Sequence, residues 1–276
     1  MTGPTLSVVI PAYMNARTIE ETVDSVLSQT GVDFELVVAD HASTDGTREV
    51  LQQYAPDDRV RLLDTPAGGG APRNWNRVTA EATGTYLKLV CGDDLLRPGV
   101  LARQVDLLSS TGATLTACRR DIIDMRGNVL FAGWGLHGLS QPMSGAKAIR
   151  KAVRAGSNLF GEPASVTMRR DALEAAGGWF DAFPYLIDQA TYSRVLVDGT
   201  FVPDPEIGAT FRMSDTQWSV ALTNAQSAQA RAFHRWMRSQ HPYVVGGADR
   251  VIGDVRASIM ARARRMSYAL LKRRMR

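Results

Sequence analysis

Leu6-Ser-Val-Val-Ile-Pro-Ala-Tyr13, followed by Thr18 to Gln29, then Phe34-Glu-Leu-Val-Val-Ala-Asp40, followed by Thr47 to Tyr54, is the stretch that decides the fold. Each apolar run is short and ends in a proline or an aspartate. The intervening segment carries Ile19, Val23, Val26 and Leu27 on one helical stripe. Strand, helix, strand, helix predicts a parallel sheet with helices packed on its faces. In open parallel sheets ligands bind beyond the carboxyl ends of the strands, which places Pro11 to Tyr13 and Asp40 to Asp45 at one edge.

A third polar cluster belongs to the same edge. Val90-Cys-Gly-Asp-Asp-Leu95 closes an apolar run and leads into Arg97-Pro98-Gly99. Two adjacent carboxylates repel each other unless a cation lies beside them. Hard divalent ions such as Mg²⁺ or Mn²⁺ favour carboxylate oxygens supplemented by substrate phosphates. Asp93 and Asp94 are therefore the candidate metal ligands; the competing reading is an acidic strand-end turn that caps a helix or faces water.

Taken in order, these segments resemble an inverting glycosyltransferase of family 2, with the GT-A fold, over about residues 5–218. The family opening Pro-x-Tyr-Asn appears as Pro11-Ala-Tyr13, with Met14 at the asparagine position and Asn15 one place later. Its Asp-Asp-Gly-Ser-x-Asp-Gly-Thr signature appears as Asp40-His-Ala-Ser-Thr-Asp-Gly-Thr47, and Ala71-Pro-Arg-Asn74 approximates an Ala-Arg-Asn signature. The resemblance implies a nucleoside-diphosphate sugar donor. Pro11 and Tyr13 would line the nucleotide pocket, Asp40 would accept the imide hydrogen of uracil or thymine, and Arg73 would contact the diphosphate or base. Local alternatives are an Asx-turn for Asp40, a helix-capping role for Asp45 and a solvated side chain for Arg73.

The same resemblance names Asp188, in Tyr185-Leu-Ile-Asp188, as the catalytic base, and Gly161-Glu-Pro-Ala-Ser-Val-Thr-Met-Arg-Arg170 and Gly177-Gly-Trp-Phe-Asp181 as the acceptor side. Inversion needs one carboxylate on the face of the sugar opposite the leaving diphosphate, where it takes the proton of the attacking hydroxyl. Asp188 also reads as an N-cap for a helix from Gln189 to Val197, and a helix N-terminus would lower its pKa. Three positions depart from the family pattern. Cys91 stands at the first acidic position of Asp-x-Asp-Asp, Ile187 replaces the acidic neighbour of the base, and Ser214 replaces the histidine after Arg212. A sugar-nucleotide-binding protein without transferase activity is thus a rival reading. A nucleotidyltransferase is a second rival, although no Gly-rich basic loop follows the first strand.

Composition adds bounds. The 276 residues, 45% hydrophobic, can hold one large domain or one domain with an appendage. We expect a GT-A domain over residues 1–218, its nucleotide half about 1–110 and its acceptor half about 111–218, and a helical appendage over 219–276. Two cysteines, Cys91 and Cys118, give no disulfide framework. With no signal segment and no apolar run long enough to cross a bilayer, the expected location is cytoplasmic, on the inner face of the membrane or free.

From Val255 to Arg276 there are eight basic residues and no acidic ones, although the whole chain carries only +4. The tail is therefore a separate electrostatic object. Ile252, Val255, Ile259, Met266 and Leu270 recur at helical spacing, which predicts a basic amphipathic helix. Such a helix suits either an anionic membrane, where a lipid-linked acceptor hydroxyl would be met, or packing on the catalytic domain. Nucleic acid is disfavoured, since no aromatic interleaving accompanies the charge.

Overall fold

The computed structural model describes residues 3–214 and 225–271, with side chains to residue 266. The expected boundary at 218 lies outside the described residues. β1 (Leu6–Ala12), β2 (Phe34–Asp40), β3 (Val60–Asp64) and β4 (Tyr86–Leu89) are parallel neighbours. Their crossovers carry α1 (Ile19–Leu27), α2 (Thr47–Gln52) and α3 (Gly70–Ala80). Every residue of β1 is buried because the sheet is covered on both faces. Val8 and Ile10 enter one core with Leu36 and Val38, while Val9 enters the other with Val37 and Ala39.

The remaining elements extend that sheet. They are β5 (Leu95–Leu96), α4 (Val100–Thr111), β6 (Leu115–Ile123), β7 (Val129–Trp134), β8 (Met143–Ser144), α5 (Gly145–Ala155), β9 (Val166–Arg169), α6 (Arg170–Ala175), α7 (Ile187–Leu196) and β10 (Thr200–Arg212). The strand order is β3-β2-β1-β4-β9-β6-β10-β5, with β7 on β6 and β8 on β10. The expected mixed sheet is present: β1 to β4 pair in parallel, as do β6 and β10, and the remaining pairings are antiparallel. β9 pairs antiparallel with both β4 and β6, so it joins β1 to β4 to the rest of the sheet.

α8 (Gln226–Gln240) and α9 (Gly247–Leu271) form the expected helical C-terminal part, but they share a core with the domain. Phe233 of α8 stacks edge-on against Phe183 at 5.7 Å. A Cβ on Gly253 would lie 2.4 Å from the Val153 carbonyl oxygen, and one on Gly156 would lie 2.3 Å from the Ala257 nitrogen. α9 therefore crosses α5 at backbone distance, a contact only small residues allow. Ala257 and Ala261 are buried on that face, whereas Val255, Ile259 and Met266 are exposed, joined by Val251. Val255, Ile259 and Met266 of the expected apolar stripe thus face outward while Ile252 is half-buried, and a row of small residues makes the close approach. The side chain of Leu270, and Lys272, Arg273, Arg274 and Arg276, lie outside the described residues.

Candidate active site

A cavity of about 860 Å³ opens beyond the carboxyl ends of β1, β2 and β4 and runs to α7, α8 and α9. Pro11, Tyr13, Asp93, Asp94 and Asp188 all line it. The chain enters it through strained turns, with φ of 54° at Met14 and 51° at Ala42, conformations that non-glycine residues adopt mainly where the surroundings enforce them. Asn15 is the organiser at the first turn. Its side-chain oxygen accepts from the Tyr13 N–H at 2.9 Å, and a Cβ on Gly92 would come within 2.5 Å of the same oxygen. Gly92 therefore lets the Asp93 loop close onto the Tyr13 turn.

At the nucleotide end Tyr13 is 60% exposed, its ring 5.8 Å from that of His41, so its face is available to a planar ligand. Asp40 is buried at the end of β2, and its two oxygens divide the two readings between them. Oδ2 accepts from the Ser43 N–H at 3.1 Å, which is the Asx-turn, while Oδ1 is buried with no hydrogen-bond partner among the described residues. An orphaned carboxylate oxygen of this kind is costly unless a ligand N–H meets it. Asp45 is structural: Oδ1 accepts from the Thr47 N–H at 3.0 Å. Arg73 is not brought into the cavity. It is exposed and donates to the Ala67 carbonyl at 3.0 Å, while its neighbour Asn74 turns inward and donates to the carbonyls of Ala12 and Ala39.

Asp94 is buried, and Oδ1 accepts from the Arg212 N–H at 3.1 Å while Oδ2 has no hydrogen-bond partner among the described residues. Burial, and then the neighbouring Asp93, hold the Asp94 carboxyl well above the usual range. Two adjacent carboxylates with an orphaned oxygen fit a divalent cation whose remaining ligands come from substrate. Among the described residues no set of three or more His, Cys, Asp or Glu forms a complete metal cage. Cys91 lines the cavity as a thiol, since burial and both aspartates push its pKa up. Arg212 is buried, donating to the carbonyl of Asp93 at 3.0 Å and pairing with Glu21 at 2.6 Å. It ties β10 to the Asp93 loop.

At the other end, α7 begins at Ile187, so Asp188 lies inside its first turn and is not the N-cap. Oδ1 accepts from the Gln189 N–H at 2.7 Å and Oδ2 from the Asn158 amide at 2.8 Å. The expected lowering of its pKa does not hold. Burial dominates and, with Glu162 adding like charge, pushes it up to about 7, against the opposing Gln189, Asn158 and Arg120 interactions. Glu162 was not singled out from sequence. It lines the same cavity and pairs with buried Arg120, supplying a second carboxylate near Asp188 from a loop 26 residues upstream rather than from position 187.

Two ends of one cavity thus hold distinct chemistry, a flat aromatic beside paired aspartates, and a carboxyl poised near neutrality; Asp40 itself is not among the lining residues, although its neighbours His41 and Ala42 are. The "Glycosyl transferase family 2" model matches residues 7–177. The succinoglycan biosynthesis protein ExoO of Rhizobium meliloti is 35% identical over 129 residues, 46% of this chain and 36% of that one. The stretches matched in the first curated relatives span 39%, 48% and 36% of their lengths. Among solved structures, Staphylococcus aureus TarS 1–349 in complex with UDP-GlcNAc superposes with a TM-score of 0.66 at 15% identity, over 84% of this chain and 66% of that one. The mannosyltransferase PcManGT of Pyrobaculum calidifontis, in complex with GDP-Man and Mn²⁺, gives 0.62 at 18% identity, over 97% and 80%. The chain belongs to glycosyl transferase family 2 and has the GT-A fold.

Proposed function

We propose that this family 2 glycosyltransferase moves a sugar from a UDP- or dTDP-linked donor to an acceptor hydroxyl with inversion, in the synthesis of a cell-envelope polysaccharide or glycolipid. The observation that carries the reading is Asp188, a carboxyl with pKa near 7 in the same cavity as the paired aspartates and the Tyr13 face. A general base works best with a pKa near the operating pH. Pro11, Tyr13 and the free oxygen of Asp40 bind the pyrimidine. Asp188 takes the acceptor proton as the hydroxyl attacks the anomeric carbon, and Asn158 and the Gln189 N–H hold the carboxylate in place. Mn²⁺ or Mg²⁺ would be held by Asp93 and Asp94, and when bound it neutralises charge on the departing diphosphate.

The polysaccharide setting is supported by ExoO, named for succinoglycan biosynthesis. An anionic membrane surface is supported by α9, where Val251, Val255, Ile259 and Met266 stand exposed beside exposed Arg256, Arg262 and Arg265. No described helix is long and apolar enough to cross a membrane. Release of UDP from UDP-sugars, assayed with and without Mn²⁺ and envelope glycan acceptors, tests the reading. A chain that binds UDP yet neither hydrolyses nor transfers from any such donor would be the binding protein instead.

A further inference from the structure

The acceptor end of the cavity holds a cation that no carboxylate answers. Arg264 of α9 lines it and spends its guanidinium on two hydroxyls, donating to Tyr185 Oη at 3.1 Å and Ser157 Oγ at 2.9 Å. Among the described residues it forms no ion pair, unlike Arg120, which is matched by Glu162. Ser157 precedes the Asn158 that holds Asp188, and Tyr185 lies three residues before Asp188. The cation therefore sits against the two segments that position the base.

A second observation points to a ligand at the same place. Gln226, in the first turn of α8, is 1% exposed and lines the cavity, yet neither its Nε2 nor its Oε1 has a hydrogen-bond partner among the described residues. One turn later Gln229 accepts from the Tyr185 N–H at 2.7 Å, so this part of α8 lies against Tyr185. A buried amide unmet on both sides is unfavourable unless a ligand both donates to it and accepts from it. A sugar hydroxyl or acetamido group does both. A guanidinium with N–H groups to spare is matched by an oxyanion, which it binds through charge-assisted, fork-shaped hydrogen bonds.

We propose that Arg264, Ser157, Tyr185 and Gln226 form an acceptor subsite for an oxyanion-bearing sugar, which presents its hydroxyl to Asp188. Arg264 takes a carboxylate or phosphate on the acceptor, and Gln226 takes a neighbouring hydroxyl or acetamido group. The proposal rests on the glycosyl-transfer reading and narrows its acceptor from any hydroxyl to an anionic saccharide. It also gives α9 a role inside the site as well as outside it.

The test is calorimetry on the full chain saturated with UDP and Mn²⁺, so that the donor's phosphate positions are filled. The probes are methyl glucuronide, glucose 1-phosphate and the neutral methyl glucoside. The expected result is a preference of about tenfold or more for at least one anionic sugar over the neutral one. A carboxylate preference points to a uronic acid and a phosphate preference to a glycosyl phosphate. Arg264→Gln, which keeps polar contact with Tyr185 and Ser157 but removes the charge, should abolish the preference, with Arg264→Lys restoring part of it. Gln226→Leu should weaken all three sugars alike. Equal binding of charged and neutral sugars, no sugar binding, or a preference that survives Arg264→Gln would overturn the subsite. UDP binding titrated first separates the two readings, because its absence from the unmodified chain counts against glycosyl transfer itself.

Discussion

The side-chain amide of Asn158 donates to Oδ2 of Asp188 at 2.8 Å, and together with the Gln189 N–H on Oδ1 it fixes the carboxyl in one orientation. Both bonds favour the charged form, and burial still outweighs them, leaving the pKa near 7. With Asp188 as the proposed base, turnover should depend on pH. Since the deprotonated form accepts the proton, kcat/KM should rise with pH through about 7 and level off above it. Replacing Asn158 by Ala removes a bond that lowers the pKa, so the rising limb should move to higher pH. A limb that stays in place would show that the Asn158 bond does not tune the base.

Asp188→Asn should leave UDP affinity nearly unchanged and lower turnover by roughly 10² to 10⁴, the usual contribution of a positioned general base. Calorimetry beside a UDP-release assay gives both quantities. Retained turnover would move the base elsewhere, with Glu162 the next carboxylate to test.

Asp40 has one oxygen engaged by Ser43 and one unmet. UDP should bind more tightly than GDP, and Asp40→Ala should erase most of that difference, about tenfold or more for a hydrogen bond to a charged group. GDP binding as tight as UDP would remove the base-recognition role.

Asp93→Asn should weaken Mn²⁺-dependent donor binding, because a neutral oxygen replaces an anionic one beside a dication. Metal-free UDP binding should change little. Identical Mn²⁺ enhancement in the variant and the unmodified chain would place the metal elsewhere.

Deleting residues 255–276 would remove Ala257 and Ala261 from the core, so loss of function in that truncation would say little about membranes. Val255→Glu with Ile259→Glu changes only exposed positions. The unmodified chain should sediment with anionic vesicles at low salt and release as salt rises, each basic residue near the surface contributing on the order of 1 kcal/mol. The double variant should stay in the supernatant with its UDP binding intact. Equal sedimentation would overturn the membrane-facing role of that row.

By itself the sequence determined β1, α1, β2 and α2, the apolar run before Asp93, and the edge to which the ends of these strands belong. Those depend on apolar periodicity and strand-end turns, which are local and repeat along the chain. It also named Asp188 as the candidate base through a matching motif. The sign of the shift at Asp188 was decided by tertiary structure, because burial by segments distant in sequence outweighs the helix terminus beneath it. So was the second carboxylate, which comes from Glu162 across the fold, and the turning of Arg73 out of the cavity and of Asn74 into it. The tail shows the division most plainly. Periodicity found an amphipathic helix, but which face meets the domain depended on how closely two backbones approach. At the crossing of α5 and α9 there is room only for Gly156, Gly253 and Ala257, so the small residues turned inward and the larger apolar ones were left outside.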